Sequence, residues 1–445
     1  MLTNSLSNRV FSMGLLALLA GASVAFAGCA DEAGDEQPSG PNNVDLARSE
    51  LDHDTNPDVA DADAEALVNG NTAFGLDLFK RLADAAPAEN LVASPISATA
   101  ALAMTYAGAR GDTATEMAAA LHFDLAADKL HPAMNQLSMT LAGRNIAPHQ
   151  TDEGEKSLQL SLVNSLWAQN SYPLVPEFLD ALAVNYDAGV RLLDFAGDAD
   201  GSRGVINDWV SAKTNDRIQD LLPSGSIGNT TRLVLVNALY FYGSWATAFD
   251  VDQTRTQAFH GLAGDVQAPT MHAGMELQYA EGADYQVVDV PYDGGKLAMR
   301  IVLPATGQLD TVRTAITSEW LAQVDSSMKA RPVDLSLPKF SFSWGTTSLK
   351  PALEGMGMTS AFSQQADFSG MNADNELFIG DVLQQAFIGV DEAGTEAAAA
   401  TAVIVLGNGI PEDPATFTAD RPFVFFIRDA SGSVLFSGQV TDPTK

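Results

Sequence analysis

Ser326-Ser327-Met328-Lys329 satisfies the pattern S-x-x-K, which on a helix sets a hydroxyl and an amine one turn apart as nucleophile and base. The companion S-D-N and K-T-G elements of Ser-Lys hydrolases are missing, so the pattern stands alone. Neither G-x-S-x-G nor H-E-x-x-H occurs. Gly294-Gly295-Lys296 is followed by Leu297, lacks the hydroxyl that would hold magnesium beside a phosphate, and reads as a hairpin turn. The six histidines, among them His122, His131, His149, His260 and His272, show no metal-ligand spacing and read as surface or incidental residues. These residues support no catalytic centre, no metal and no cofactor, and the chain is read as a non-enzyme.

The 445 residues carry 56 acidic against 24 basic side chains, a net charge of -32. So acidic a surface repels nucleic acid. A hydrophobic fraction of 46% still describes a chain able to bury a large core. At the N-terminus Arg9 precedes the short apolar run from Met13 to Ala20, and small residues follow up to Gly28, which is the pattern of a secretory signal peptide over residues 1–28. Phe26-Ala27-Gly28-Cys29 looks like a bacterial lipobox with Phe26 in place of the usual leucine. Cys29 is the only cysteine, so no intrachain disulfide forms, and its thiol is the expected acceptor of a lipid anchor. The expected location is therefore beyond the inner membrane, as a lipoprotein at the cell surface or in the periplasm, or else extracellular. Residues 29–66 are acidic and poor in aromatics, with Arg48 as the lone basic residue, and read as a disordered tether.

Residues 67–445 mix helices and strands without a repeating β-α alternation, which favours an α+β layout. Asn71 to Leu82 sets Phe74, Leu78 and Leu82 on one helical face, and Ser94-Pro95-Ile96-Ser97 opens a second helix with proline in its first turn. Leu233 to Tyr240 is almost wholly apolar around Asn237, as befits a strand covered on both faces. Val333 to Trp344 alternates, and Pro422 to Val440 makes two strands around Asp429-Ala430-Ser431-Gly432.

The segment from Asp391 to Pro411 needs an account of its own. Its alanines suit a helix and Asn408-Gly409 suits a hairpin turn. Read as a strand, one face carries Thr395, Ala397, Ala399, Thr401, Val403 and Val405, and the other turns apolar after Glu396. With no proline or charge after Glu396 until Pro411 and Glu412, the run can be a helix or loop in one state and a fully paired strand in another.

The run Glu392-Ala393-Gly394-Thr395-Glu396-Ala397-Ala398-Ala399 closely resembles the hinge of inhibitory serpins. Phe417-Thr418-Ala419-Asp420-Arg421-Pro422-Phe423 resembles the signature that follows their reactive loop. The segments Asn90 to Ser97, Asn237 to Trp245, Leu337-Pro338-Lys339-Phe340 and Phe368-Ser369-Gly370-Met371 also occur in the family's order. The resemblance implies a large central, mostly antiparallel sheet with two further sheets, about nine helices and an exposed reactive-centre loop, over residues 67–445. It implies a monomeric suicide inhibitor of serine, and of some cysteine, endopeptidases, with no cofactor. The peptidase is the partner: it is trapped covalently as an acyl-enzyme when the cut loop inserts into the sheet. The alternative within the family is a non-inhibitory binding or scaffold protein. Carried over residue by residue, Glu392, Gly394, Thr395, Glu396, Ala397, Ala398, Ala399 and Ala400 are the hinge. Ser94, Ser97 and Asn237 match the shutter under the sheet, Gln384 stands where many members have a histidine, and Trp245 marks the top of the sheet where insertion begins. Family spacing from Glu392 sets the scissile bond at Asn408-Gly409, with Leu406-Gly407 as the alternative and Ile410 next.

Overall fold

The computed structural model describes residues 44–214, 216–375, 377–395 and 414–445, in which nine α-helices and seventeen strands are formed. Helix Asp61–Ala85 buries Phe74, Leu78 and Leu82, the face its apolar spacing predicts. Each such burial stabilises by about 2 kcal/mol. Helix Pro95–Tyr106 starts where Ser94 caps it, its hydroxyl accepting from the Ser97 amide while Pro95 fills a first-turn position whose N–H would go unused.

The central sheet runs Asp45–Ala47, Val190–Leu193, Gly154–Gln169, Leu233–Ser244, Gly394–Thr395, Val382–Val390, Phe340–Ser348, and Ile146–Thr151 pairs off the side of Gly154–Gln169. It is mostly antiparallel; the parallel pairs are Gly154–Gln169 with Val190–Leu193 and Val382–Val390 with Leu233–Ser244. The remaining strands form one nine-stranded sheet from Ala415–Thr418 to Leu91–Ala93. The two further sheets of the expectation are its two ends, continuous through the 18-residue strand Gly264–Glu281.

Leu233–Ser244 is apolar because both its faces are covered. Leu233, Leu235, Leu239 and Phe241 enter the main core, and Val234 and Val236 enter a second cluster with Trp167 and with Ile206 and Val210 of helix Ala199–Lys213. Helix Pro95–Tyr106 packs on the main-core side of this strand.

Three expectations are corrected. The tether was expected to run to residue 66, but Asp45–Ala47 pairs antiparallel with Val190–Leu193, and Asp61–Ala85 is already helical from residue 61. Between them the Asp54 amide donates to Val184 O at 3.0 Å and His53 Nε2 meets Asn135 Oδ1 at 2.8 Å. Strand pairing draws on backbone groups and polar side chains, so a segment poor in apolar residues can still dock. The alternation from Val333 to Trp344 is divided between the two sheets: Lys329–Pro338 belongs to the nine-stranded one and Phe340–Ser348 to the central one, with Lys339 at the crossing. His131 is neither surface nor incidental. It lies buried in helix Ala127–Ala142, 2.7 Å from the Tyr186 hydroxyl, because the helical period carries it inward beside Leu130 and Met134.

Burial pulls the His131 imidazole down to about 4. In the unfolded chain it takes up a proton near 6.5, so between these values the unfolded state binds more protons and stability falls as pH falls. The unfolding midpoint should therefore drop between pH 6.5 and pH 4 by the equivalent of about 3 kcal/mol, a drop that His131→Gln flattens. Denaturant titrations of both proteins across that window check it, and equal slopes would refute it.

Candidate functional site

The central sheet contains a fork. Leu233–Ser244 and Val382–Val390 pair with each other only through residues 235–238 and 382–385. Beyond those four pairs they part, and no ladder pair joins 239–242 to 386–389. At the open end Gly394–Thr395 lies between them, Gly394 opposite Ser244 and Thr395 opposite both Gly243 and Val390, all antiparallel. A two-residue strand thus occupies the mouth of a gap between two strands that share no ladder pair with each other there.

The local sequence explains the wedge. After Val390 the chain turns back: the Asp391 amide donates to Gly394 O at 2.9 Å, and Asp391 Oδ1 accepts from the amides of Ala393 and Gly394. A Cβ on residue 394 would lie 2.0 Å from Gly243 O, a backbone atom, so glycine is required for this approach. Thr395 is small and β-branched, and it is 2% exposed between its neighbours.

Trp245 closes the mouth. It is fully buried, its indole Nε1 donates to Asp391 O at 2.9 Å, and its amide donates to Ala393 O at 2.9 Å. Its ring stacks on Tyr292 with centroids 4.6 Å apart, and the Tyr292 hydroxyl lies 2.7 Å from Thr395 Oγ1. Glu392 anchors the turn: Lys339 Nζ meets Oε2 at 2.5 Å, and Thr254 Oγ1 donates to Oε1 at 2.7 Å. Burial alone would push the Glu392 carboxyl upward, but Lys339 and Thr254 outweigh it and hold the carboxyl below its usual range. Asp391, whose burial is opposed mainly by two backbone amides, is pushed up instead.

The four closed pairs hold the sheet shut lower down. Gln384 stands opposite Asn237, and Gln384 Nε2 donates to Asn237 Oδ1 and to Ser94 O, each at 2.8 Å. Gln384 Oε1 accepts from the Ser94 amide at 2.9 Å, and the Ser94 hydroxyl donates to Leu435 O. The neutral amide joins the cap of helix Pro95–Tyr106 to the central sheet, and Ser94 extends the cluster to the nine-stranded one. Ser97 joins it through Asn164 Oδ1 at 3.2 Å.

Ser94, Ser97, Asn237, Gln384, Trp245, Glu392, Gly394 and Thr395 are thus brought to two linked places on one gap. Glu396, Ala397, Ala398, Ala399, Ala400, both proposed bonds (Asn408-Gly409 and Leu406-Gly407) and Cys29 lie outside the described residues. Sequence reasoning missed Asn164, which stands opposite Asn237 across the ladder and was visible as a buried-type amide in an apolar run. It also missed Tyr292 and Thr254, whose sequence neighbourhoods carry no signal. Ser326 hydroxyl donates to Gln323 O at the end of helix Ser318–Ser327, while Lys329 begins the next strand; no hydrogen bond joins the two. Among the described residues no group of three or more His, Cys, Asp or Glu is arranged to hold a metal.

This geometry can admit one further strand. Residues 69–443 match the model of the family described as serpin, serine protease inhibitor. An uncharacterized serpin-like protein of Thermococcus kodakarensis is 35% identical, with 92% of this chain and 94% of the relative covered. A leukocyte elastase inhibitor of Xenopus tropicalis is also 35% identical, covering 85% of this chain and all of the relative. Among solved structures, the thermophilic serpin tengpin in its native state matches with a TM-score of 0.78 and 28% identity over 90% of this chain and all of that one.

Proposed function

Since the chain belongs to the serpin family, whose members include peptidase inhibitors, we propose that it is an irreversible suicide inhibitor of serine, and of some cysteine, endopeptidases. The observation that carries this reading is the wedge of Gly394–Thr395 in the open fork of the central sheet. In the proposed sequence the peptidase's nucleophile attacks the carbonyl carbon of Asn408. The bond to the Gly409 nitrogen breaks, and that nitrogen leaves as an amine carrying the proton delivered by the peptidase's own general acid. An ester, or a thioester with a cysteine enzyme, joins the two proteins. The freed hinge then continues the strand begun at Thr395, breaks the four pairs at Gln384, and carries the bound enzyme along the sheet before water resolves the acyl group. The inhibitor acts as a monomer, supplies no base and no cofactor, and draws its driving force from the added ladder.

Incubation with a panel of serine and cysteine peptidases should give a denaturant-stable complex on gels. The mass of the released C-terminal peptide should begin at Gly409; a start at Gly407 would assign the bond to Leu406. Cleavage with no complex for any peptidase would sink the inhibitory reading and favour the non-inhibitory alternative. Export by residues 1–28 and lipidation of Cys29 are part of the proposal, supported by the lipobox-like run before Cys29. Metabolic labelling with a radioactive fatty acid in a bacterial host should mark the wild type and not Cys29→Ser; an unlabelled wild type would refute the anchor.

A further inference from the structure

Tyr292 belongs to neither wall of the gap. It follows strand Tyr285–Pro291 of the nine-stranded sheet, and the Trp245–Tyr292 bridge carries it to the mouth of the fork. There it is fully buried, packed between the indole of Trp245 and the ring of Phe241, whose centroid lies 5.0 Å away. These contacts lock the ring, so its hydroxyl is held at one point. That hydroxyl has Thr395 Oγ1 as its hydrogen-bond partner, at 2.7 Å.

From this juxtaposition we infer that Tyr292 is the positioning residue that starts loop insertion. Its hydroxyl holds Thr395 in register opposite Gly243, so the hinge enters the gap from a fixed first pair. Every later pair follows that one in a zipper. The cost of aligning the first residue is met before the peptidase cuts, which leaves only propagation for the race against deacylation. A mere packing role for the ring would not need the oxygen. The hydroxyl would then be buried for nothing, at a desolvation cost.

The inference rests on the insertion mechanism proposed above, and its test separates the two. In Tyr292→Phe the ring and its stack remain, and in Thr395→Val the shape remains; each loses one partner of the pair. Both variants, and the double variant, are cut by a peptidase that takes the bait bond. Strand insertion is followed by stopped-flow tryptophan fluorescence, and complex yield is read on denaturing gels. Each single variant should insert about three- to tenfold more slowly than wild type, with more cleaved, uncomplexed inhibitor. The double variant should be no slower than either single one, and Thr395→Ser, which keeps the hydroxyl, should restore the rate. Unchanged rates in both single variants, or fully additive losses, would overturn the role of Tyr292. If wild type inserts but traps no peptidase, the inhibitory reading falls while the rates still decide the role of Tyr292. A wild type cut without inserting overturns both.

Discussion

Thr395→Arg is expected to convert the protein from an inhibitor into a substrate. Thr395 is 2% exposed, with Gly243 on one side, Val390 on the other and the Tyr292 hydroxyl in front. Arginine there would have to bury a guanidinium among aromatic rings and backbone, with the Glu392 carboxylate already bound to Lys339 and Thr254. An imperfectly paired buried charge costs several kcal/mol, and each 1.4 kcal/mol is a factor of ten in rate. Entry of the hinge should slow by more than about a hundredfold, so hydrolysis of the acyl-enzyme wins. Gel assays against a peptidase that traps wild type should show the loop cut at the normal rate and the covalent band gone. Thr395→Ser should stay close to wild type. A covalent band of wild-type intensity from Thr395→Arg would mean that trapping does not require residue 395 to be held in the sheet.

Gln384→Leu should shorten the life of the native state most. The side chain is 3% exposed and satisfies the Ser94 amide, Ser94 O and Asn237 Oδ1 at once. Leucine fills similar space and leaves all three without that partner, in surroundings where each unsatisfied group costs about 1–3 kcal/mol. A loss of about 3–5 kcal/mol is expected after some relaxation. Its location makes the consequence specific, since Gln384 lies in the four pairs that keep the lower gap closed. The unfolding midpoint should fall. On storage the variant should also pass into a form whose uncut loop has entered the sheet and which no longer binds a peptidase. Residual inhibitory activity against time at 37 °C, beside thermal melts, checks this. Wild-type persistence with a lowered midpoint would show that the cluster supports the fold without gating the sheet.

The cut peptide and these two variants probe one path from different ends. Thr395 tests entry at the mouth and Gln384 the resistance below it. The Lys339–Glu392 pair lies to one side of both: it anchors the turn that precedes Gly394–Thr395. Because Glu392 is held below its usual range, that anchor is retained at neutral pH and is lost only as the medium becomes more acidic than an ordinary glutamate titration.

Much of this was legible in the sequence by itself. Local rules decide a helix that starts at Pro95 behind a serine cap and a strand apolar on both faces around Asn237. They do so because capping, side-chain period and residue size act within a few positions of the chain. The tertiary structure alone decided what those elements meet. Nothing near Tyr292 in sequence says that its hydroxyl finds Thr395 across 103 residues. Nor does the alternation of 333–344 reveal that the chain changes sheets at Lys339, since both halves keep the same period in either sheet. The acidic run before residue 66 docks through backbone pairing with Val190–Leu193, which hydropathy does not register. Local periodicity tells which face of an element is buried; which distant element buries it depends on how the whole chain closes.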